Sequence, residues 1–196
     1  MVNIKILPLG AYQTNCYLAW DENSDDCVVI DPGYEPLRVL KTAKDLGKRI
    51  AAILLTHGHF DHVGGVRAIA DQTGCPVYLH ELELSQPEEM TAGPLYYTCT
   101  YGEGDVLELA GLTIRVLHTP GHTQGSVCLL VEDTLFSGDT LFMDSIGRTD
   151  FPGGSFSQMQ KSLSRLAAMD GDCRVLPGHG PETTLDDERK YNPYLR

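Results

Sequence analysis

Basic residues are scarce in this chain. Fifteen lysines and arginines stand against 27 aspartates and glutamates, a net charge of −12 over 196 residues, and no basic face is apparent for neutralising phosphates, so nucleic acid is not an expected partner. Long apolar runs are missing too. Met1-Val2-Asn3-Ile4-Lys5-Ile6-Leu7-Pro8 alternates like a strand, with no basic segment leading into a hydrophobic stretch. Neither a secretory leader nor a membrane span is indicated, and a cytoplasmic protein with no membrane partner is expected. The six cysteines, Cys16, Cys27, Cys75, Cys99, Cys128 and Cys173, contain no CxxC pair. Several fall in apolar strand-like runs, and they read as buried free thiols rather than disulfides or ligands. No linker, low-complexity tract or short repeat divides the sequence. Its length suits one domain with a substantial core, here residues 1–196, and two would be tight.

What the chain does have is a concentration of metal-ligand side chains. Five of its seven histidines lie in Thr56-His57-Gly58-His59-Phe60-Asp61-His62, Thr119-Pro120-Gly121-His122-Thr123 and Pro177-Gly178-His179-Gly180, while Ser137-Gly138-Asp139-Thr140 adds a carboxylate. His57, His59 and Asp61 stand two apart, and in an extended loop alternate side chains leave on the same side. His57 and His59 can therefore grip one ion while Asp61 and His62, turned by the end of the loop, reach a second; Gly58 leaves room for both. Two ions about 3.5 to 4 Å apart need a shared anionic ligand, and a carboxylate can bridge them. Asp139 is the candidate. The expected set is His57, His59 and His122 on metal one, Asp61, His62 and His179 on metal two, and Asp139 on both.

A metal-bridging hydroxide would then complete five ligands on each ion, within the range of catalytic zinc sites. Two divalent charges, less Asp61, Asp139 and hydroxide, leave about one positive unit, which draws anionic substrates. Coordination lowers the pKa of water from 15.7 toward roughly 7, so a nucleophile exists at neutral pH without a catalytic serine or cysteine. Hydrolysis is the expected reaction, with Asp61 and Asp139 as its catalytic carboxylates. Imidazole and carboxylate suit zinc, iron and manganese alike; zinc is the first expectation for the two divalent ions.

These motifs, in this order and with Asp31 in Val29-Ile30-Asp31-Pro32-Gly33, resemble those of the metallo-β-lactamase superfamily over nearly the whole chain. The resemblance implies an α/β fold, an αββα sandwich of two mixed sheets flanked by helices, with the metals at one edge. Within it, the hydrolytic set resembles glyoxalase II, the hydroxyacylglutathione hydrolase, which cleaves a thioester between a hydroxy acid and glutathione. The segment from Asp187 to Arg196 is similar to the end of that family's first domain. There a helical second domain follows and holds the glutathione carboxylates; with the sequence stopping at Arg196, that anchor is expected to be missing. The resemblance therefore implies a small-molecule thioester substrate without fixing glutathione as its carrier.

Two rivals follow from the same resemblance. Ile146-Gly147-Arg148-Thr149-Asp150-Phe151-Pro152 stands where glyoxalase II tends to have Cys-Gly-Lys-Phe-Tyr, in a version shared by short glyoxalase II-like proteins and persulfide dioxygenases. In the latter, His57, His122 and Asp139 would form a two-histidine, one-carboxylate triad on a single iron. True β-lactamases of the superfamily usually have cysteine or serine in place of Asp139, or lack one carboxylate, and an amide leaving group needs a proton source. A thiolate, whose conjugate acid has a pKa near 8.5, leaves without one.

Hydrophobic patterning predicts strands near Asn3 to Leu7, Thr14 to Trp20, Cys27 to Ile30, Ala51 to Leu55 and Val77 to Leu79, with helices over Glu35 to Leu46 and Val63 to Gln72. The latter should open just after His62. The stretch Gln86 to Gly102 has no clear period and reads as a long loop, either a substrate lid or a surface excursion. Further strands are predicted at Val106 to Leu109, Leu112 to Leu117, Ser126 to Val131, Thr134 to Phe136 and Arg174 to Leu176, and a helix at Ser155 to Met169 with Ser155 as its cap. Asp31 reads as a support for a metal-loop histidine or backbone amide, or as part of a plain turn. His80 and His118 read as hydrogen-bonded structural histidines. Arg148 could hold a substrate carboxylate or pair with Asp150; Tyr191 and Asn192 fit a pocket rim or a packed terminal helix.

Overall fold

Residues 1–195 are described in the computed structural model. Short runs of aliphatic and β-branched residues form two six-stranded sheets. The first runs β1 (Val2–Leu9), β2 (Thr14–Asp21), β3 (Asp26–Ile30), β4 (Arg49–Leu54), β5 (Val77–His80) and β6 (Cys99–Tyr101), each beside the next. Its first three strands pair antiparallel and the rest parallel. A parallel pair needs a crossover; α1 (Pro36–Asp45) supplies it between β3 and β4, and the short turn α2 (Phe60–Val63) followed by α3 (Val66–Thr73) supplies it between β4 and β5. The second sheet, in spatial order, is β14 (Thr183–Thr184), β13 (Arg174–Pro177), β10 (Thr134–Gly138), β9 (Val127–Val131), β8 (Leu112–His118) and β7 (Val106–Leu109). Only β10 and β13 are parallel, joined through α5 (Phe156–Ala167). A small hairpin of β11 (Leu141–Phe142) and β12 (Ser145–Ile146), a helical turn α4 (Glu88–Thr91) and the closing helix α6 (Leu185–Tyr191) complete the order.

Alternation along the strands sorts side chains into three apolar layers. Between the sheets lie Tyr17, Val28, Ile30, Leu54, Ile114, Leu129 and Phe136. The opposite face of the first sheet, with Leu18, Val29 and Ile53, packs on Val39 and Ala43 of α1 and Ile69 of α3. The outer face of the second sheet, with Cys128, Leu135 and Val175, packs on Met159, Leu163 and Leu166 of α5. This is the αββα sandwich with two mixed sheets that the sequence resemblance implies. Ser155 caps α5 by accepting from Gln158 N–H, and Pro36 opens α1, where its missing N–H is harmless. Among the described residues no helix is long and apolar enough to cross a membrane.

Two expectations need correction. The helix predicted to open after His62 begins earlier and is broken: Asp61 and His62 sit inside α2, and Gly64 and Gly65 separate it from α3. The cause is the Pro32-Gly33 loop, which presses so closely on this turn that a Cβ on Gly33 would overlap the Asp61 carbonyl and one on Gly65 would lie 2.6 Å from Pro32 O. The stretch Gln86 to Gly102 is not an open loop. It contains α4 and then β6, whose Tyr101 is buried and donates to Leu55 O at 2.7 Å.

Candidate metal centre

All seven expected ligands meet at one rim of the sandwich, where strands of both sheets end. The run from His57 to His62 follows β4; His122 comes from the β8–β9 loop, Asp139 follows β10 and His179 follows β13. Backbone irregularities aim them. The β10–β13 register slips between Phe136 and Gly138, and Gly138 takes φ +50°, so the bulge turns the next residue, Asp139, into the cleft. Gly178 is equally constrained: a Cβ there would run into Asp139 Oδ1 and lie 2.7 Å from His62 Cε1.

Hydrogen bonds to the outer ring nitrogens decide what the histidines present inward. His62 Nδ1–H donates to Asp31 Oδ2 (2.9 Å), His122 Nδ1–H to the Arg148 carbonyl (2.7 Å) and His179 Nδ1–H to the Tyr12 carbonyl (3.2 Å). Thr56 Oγ1 donates to Asp31 Oδ2 (2.6 Å) and so can accept from His57 Nδ1–H at 3.1 Å. Each of these four rings therefore turns Nε2 toward the cleft, the nitrogen left to bind a metal. His62 Nε2 faces His179 Nε2 at 3.3 Å, and His122 Nε2 faces His59 Nδ1 at 2.9 Å. Each close pair needs a proton or a cation between its two nitrogens. His57 Nε2 and Asp139 Oδ1 are buried with no hydrogen-bond partner, which buried polar atoms rarely tolerate.

The donor atoms of His57, His59 and His122 lie within 4.8 Å of one another, as do those of Asp61, His62 and His179. Asp139 stands between the two groups, Oδ2 3.6 Å from both His122 Nε2 and His179 Nε2, and Oδ1 3.4 Å from His62 Nε2. Asp61 Oδ2 is 3.1 Å from His179 Nε2 and accepts from Thr14 Oγ1–H at 3.2 Å. These groups can hold metal ions, and the donor set fits divalent ones. A third combination, Asp31 with His57 and His62, is also close enough, but both Asp31 oxygens are already occupied by Thr56 and His62; Asp31 supports the ligands from behind.

Electrostatics follow burial. Burial pushes His57 well below the usual imidazole range and takes His59 down to about 3, so both are neutral. Burial opposes charge on His62 as well, yet Asp139 and Asp31 push it well above the ordinary value. Burial would likewise raise Asp139, but His62 and the other imidazoles hold it well below the carboxylate range, keeping it anionic.

A cleft of about 340 Å³ opens over the ligands, walled by Tyr12, Phe60, Met90, Phe142, Ile146 and Phe151, with Arg148 at its edge. Arg148 is the one lysine or arginine among the lining residues. Its guanidinium is engaged by Asp150 at 2.9 and 2.8 Å and lies 4.0 Å from the Phe151 ring centroid, while its carbonyl orients His122. Of the segment expected as a loop, Met90 alone lines this cleft. Asn192 is buried and donates to Phe142 O and Ser145 O, bracing the β11–β12 hairpin that carries Phe142 and Ile146, whereas Tyr191 is half exposed. His80 and His118 stack at 4.4 Å with a 15° interplanar angle, away from the ligands. All six cysteines are free, five of them buried. Sequence reasoning missed Glu83, fully buried behind the His57–His59 loop; an acidic residue in a 3-10 turn gives no pattern that would mark it.

Two mixed sheets between helices, with histidines and carboxylates gathered at the strand ends, define a metallo-hydrolase scaffold. The chain belongs to the metallo-beta-lactamase superfamily, whose pattern matches residues 9–179. Among its relatives, the uncharacterized protein ML0493 of Mycobacterium leprae is 39% identical over 96% of each chain. The hydroxyacylglutathione hydrolase GloC of Haemophilus influenzae is 34% identical over 99% of this chain and 98% of its own. Three solved structures are similar throughout: the B3 metallo-beta-lactamase BLEG-1 (TM-score 0.90, 36% identity, 98% and 99% of the two chains), TTHA1623 in a di-iron-bound form (0.86, 40%, 97% and 100%), and ETHE1 of Myxococcus xanthus (0.84, 30%, 97% and 83%).

Proposed function

We propose that this protein is a glyoxalase II-like thioesterase that holds two divalent ions, zinc in the first place, and hydrolyses small acyl thioesters. The convergence of two three-ligand groups on the shared carboxylate of Asp139 carries this reading. Bound ions there would lower the pKa of water enough to supply a nucleophile at neutral pH. His57, His59 and His122 would hold one ion, Asp61, His62 and His179 the other. Asp61, at the cleft side of its group, is placed to take the proton of an attacking water; Asp139 keeps both halves together. The departing thiolate needs no acid.

The cleft walls bear on the carrier. Glutathione brings two carboxylates, yet the single lining cation is already paired with Asp150. The apolar rim favours a compact thiol carrier and a short acyl group over glutathione itself, while Arg148 can bind a substrate carboxylate only by releasing Asp150. Similarity to GloC supports the thioesterase; similarity to TTHA1623, solved in a di-iron-bound form, supports iron as the alternative metal, which imidazole and carboxylate donors also accept. Six free thiols fit a reducing compartment, and a cytoplasmic location belongs to this reading. The relation to ETHE1 supports a second reading, a mononuclear-iron persulfide dioxygenase.

The test is a metal analysis paired with four substrates: S-lactoylglutathione, a short acyl thioester of N-acetylcysteamine, a β-lactam, and glutathione persulfide with oxygen. Close to two metals per chain and thioester cleavage are expected, and His59→Ala should lower that rate by orders of magnitude. One iron per chain with oxygen consumption on the persulfide would replace the hydrolase with the dioxygenase.

A further inference from the structure

Behind the ligands, Glu83 makes a connection that none of the motifs announces. It sits in the 3-10 turn Glu81–Ser85 with no exposed surface. Oε2 accepts from Gly58 N–H at 2.6 Å, and Oε1 accepts from Thr123 Oγ1–H at 2.6 Å and Gly125 N–H at 2.8 Å. Gly58 lies between His57 and His59, and Thr123 follows His122. One carboxylate therefore ties together the two loops that bring all three imidazoles of one half of the centre. Gly125 leaves no room for a side chain, since a Cβ there would lie 2.7 Å from Oε1, and a Cβ on Gly58 would come within 3.1 Å of Oε2.

The turn that carries Glu83 is joined to the His122 loop a second time. His80 Nδ1 accepts from Leu82 N–H at 3.2 Å, capping the turn that carries Glu83, and its ring stacks on His118, whose Nε2–H donates to Gln124 O at 2.9 Å. The other half of the centre relies on different supports: Asp31 for His62, the Tyr12 carbonyl for His179 and Thr14 for Asp61. No hydrogen bond links Glu83 to that half among the described residues.

We propose that Glu83 is a positioning residue for the His57, His59 and His122 half alone, setting the affinity of that half for metal without acting on the other. The proposal rests on the metal-centre reading above. A carboxylate is required because three donors converge on it. In Glu83→Gln one of the two oxygens becomes an NH2 group, and whichever way the amide turns it faces a backbone N–H donor.

The experiment loads metal-free wild type and Glu83→Gln with zinc against a chromophoric chelator, reading both stepwise affinities, and repeats the loading with cadmium to separate the three-imidazole half from the carboxylate-bearing half by NMR. The expected result is one step weakened about 10- to 100-fold, assigned to the three-imidazole half, with the other within about threefold. Equal weakening of both steps, or of neither, overturns the proposal. Thr123→Val removes one donor at nearly constant shape and should weaken the same step to a smaller degree; should Glu83→Gln not fold, an unchanged Thr123→Val overturns the proposal by itself. Wild type that binds no metal pair sinks the underlying reading instead, and the wild-type titration shows which of the two has failed.

Discussion

Asp31→Asn is the most informative single change. Asp31 is 2% exposed and pairs with the fully buried His62, and it also accepts from Thr56 N–H (2.8 Å) and Thr56 Oγ1–H (2.6 Å). Its φ of +49° is a left-handed conformation that asparagine tolerates as well as aspartate, so the variant changes charge and donor pattern with little backbone strain. Hydrogen bonds to charged groups contribute about 1.5–3 kcal/mol against about 0.5–1.5 for neutral ones, which removes about 1–1.5 kcal/mol from the His62 bond. The amide also has one oxygen for three donors. If it stays with Thr56, its NH2 confronts His62 Nδ1–H, at about 1–3 kcal/mol more. His62 can escape only by giving up its Nδ1 proton and keeping one on Nε2, which then cannot bind a metal. We therefore expect about 2–4 kcal/mol in total, read as a metal-free melting temperature lower by roughly 5–15 °C and a 10- to 100-fold loss of metal affinity. Because Thr56 relays Asp31 to His57, both metal steps should weaken, unlike the one-sided loss expected for Glu83→Gln. Zinc content during stepwise chelator dialysis, with melting curves of the metal-free protein, measures both. Retention of two ions at wild-type chelator concentrations would refute the reasoning.

Gly178→Ala meets no penalty from a left-handed backbone, so its methyl acts chiefly by displacing Asp139 and His62; the proposed thioesterase activity should fall at least about 100-fold with most of the fold retained by circular dichroism, and near-normal activity would show that the Asp139 position is not required. Phe136→Ala empties a fully buried site between the sheets, and chemical denaturation should register a loss of about 3–5 kcal/mol. Burial pushes the thiols of Cys27 to about 12 and of Cys128 and Cys173 to about 11, and raises Cys16 and Cys75 as well. At pH 8 a thiol reagent should therefore modify Cys99 alone in the native protein and all six cysteines in denaturant, as counted by mass spectrometry. Rapid labelling of two or more sites without denaturant would contradict the packing described.

That these seven side chains would meet was legible because metal chemistry restricts side-chain type and because HxHxDH packs four ligand-type residues into one run. Strands were legible where both faces are buried, as in Cys27 to Ile30. The break between α2 and α3 was not, since it depends on a contact across sequence, Gly33 against the Asp61 carbonyl, that no local pattern encodes. Residues 86–102 looked like a loop because their strand is three residues long and takes its register from β5, a tertiary constraint that overrides weak propensity. Arg148 illustrates a different limit: the sequence leaves a substrate carboxylate and Asp150 as equal partners for its guanidinium, and the fold gives Asp150 while adding that its carbonyl orients His122.

The ligands straddle the sandwich: His57, His59, Asp61 and His62 extend from the first sheet, His122, Asp139 and His179 from the second. At the same rim Asn15 N–H donates to Gly178 O (2.8 Å) and Val127 N–H to Thr56 O (2.9 Å), so backbone bonds already baste the two layers there. Cations seated among those side chains would act as rivets, and any breathing that parts the layers would first have to expel them. An excess of free metal a thousandfold above its dissociation constant would add about 4 kcal/mol per site to the native state, which makes chelation a mechanical as well as a chemical insult to this molecule.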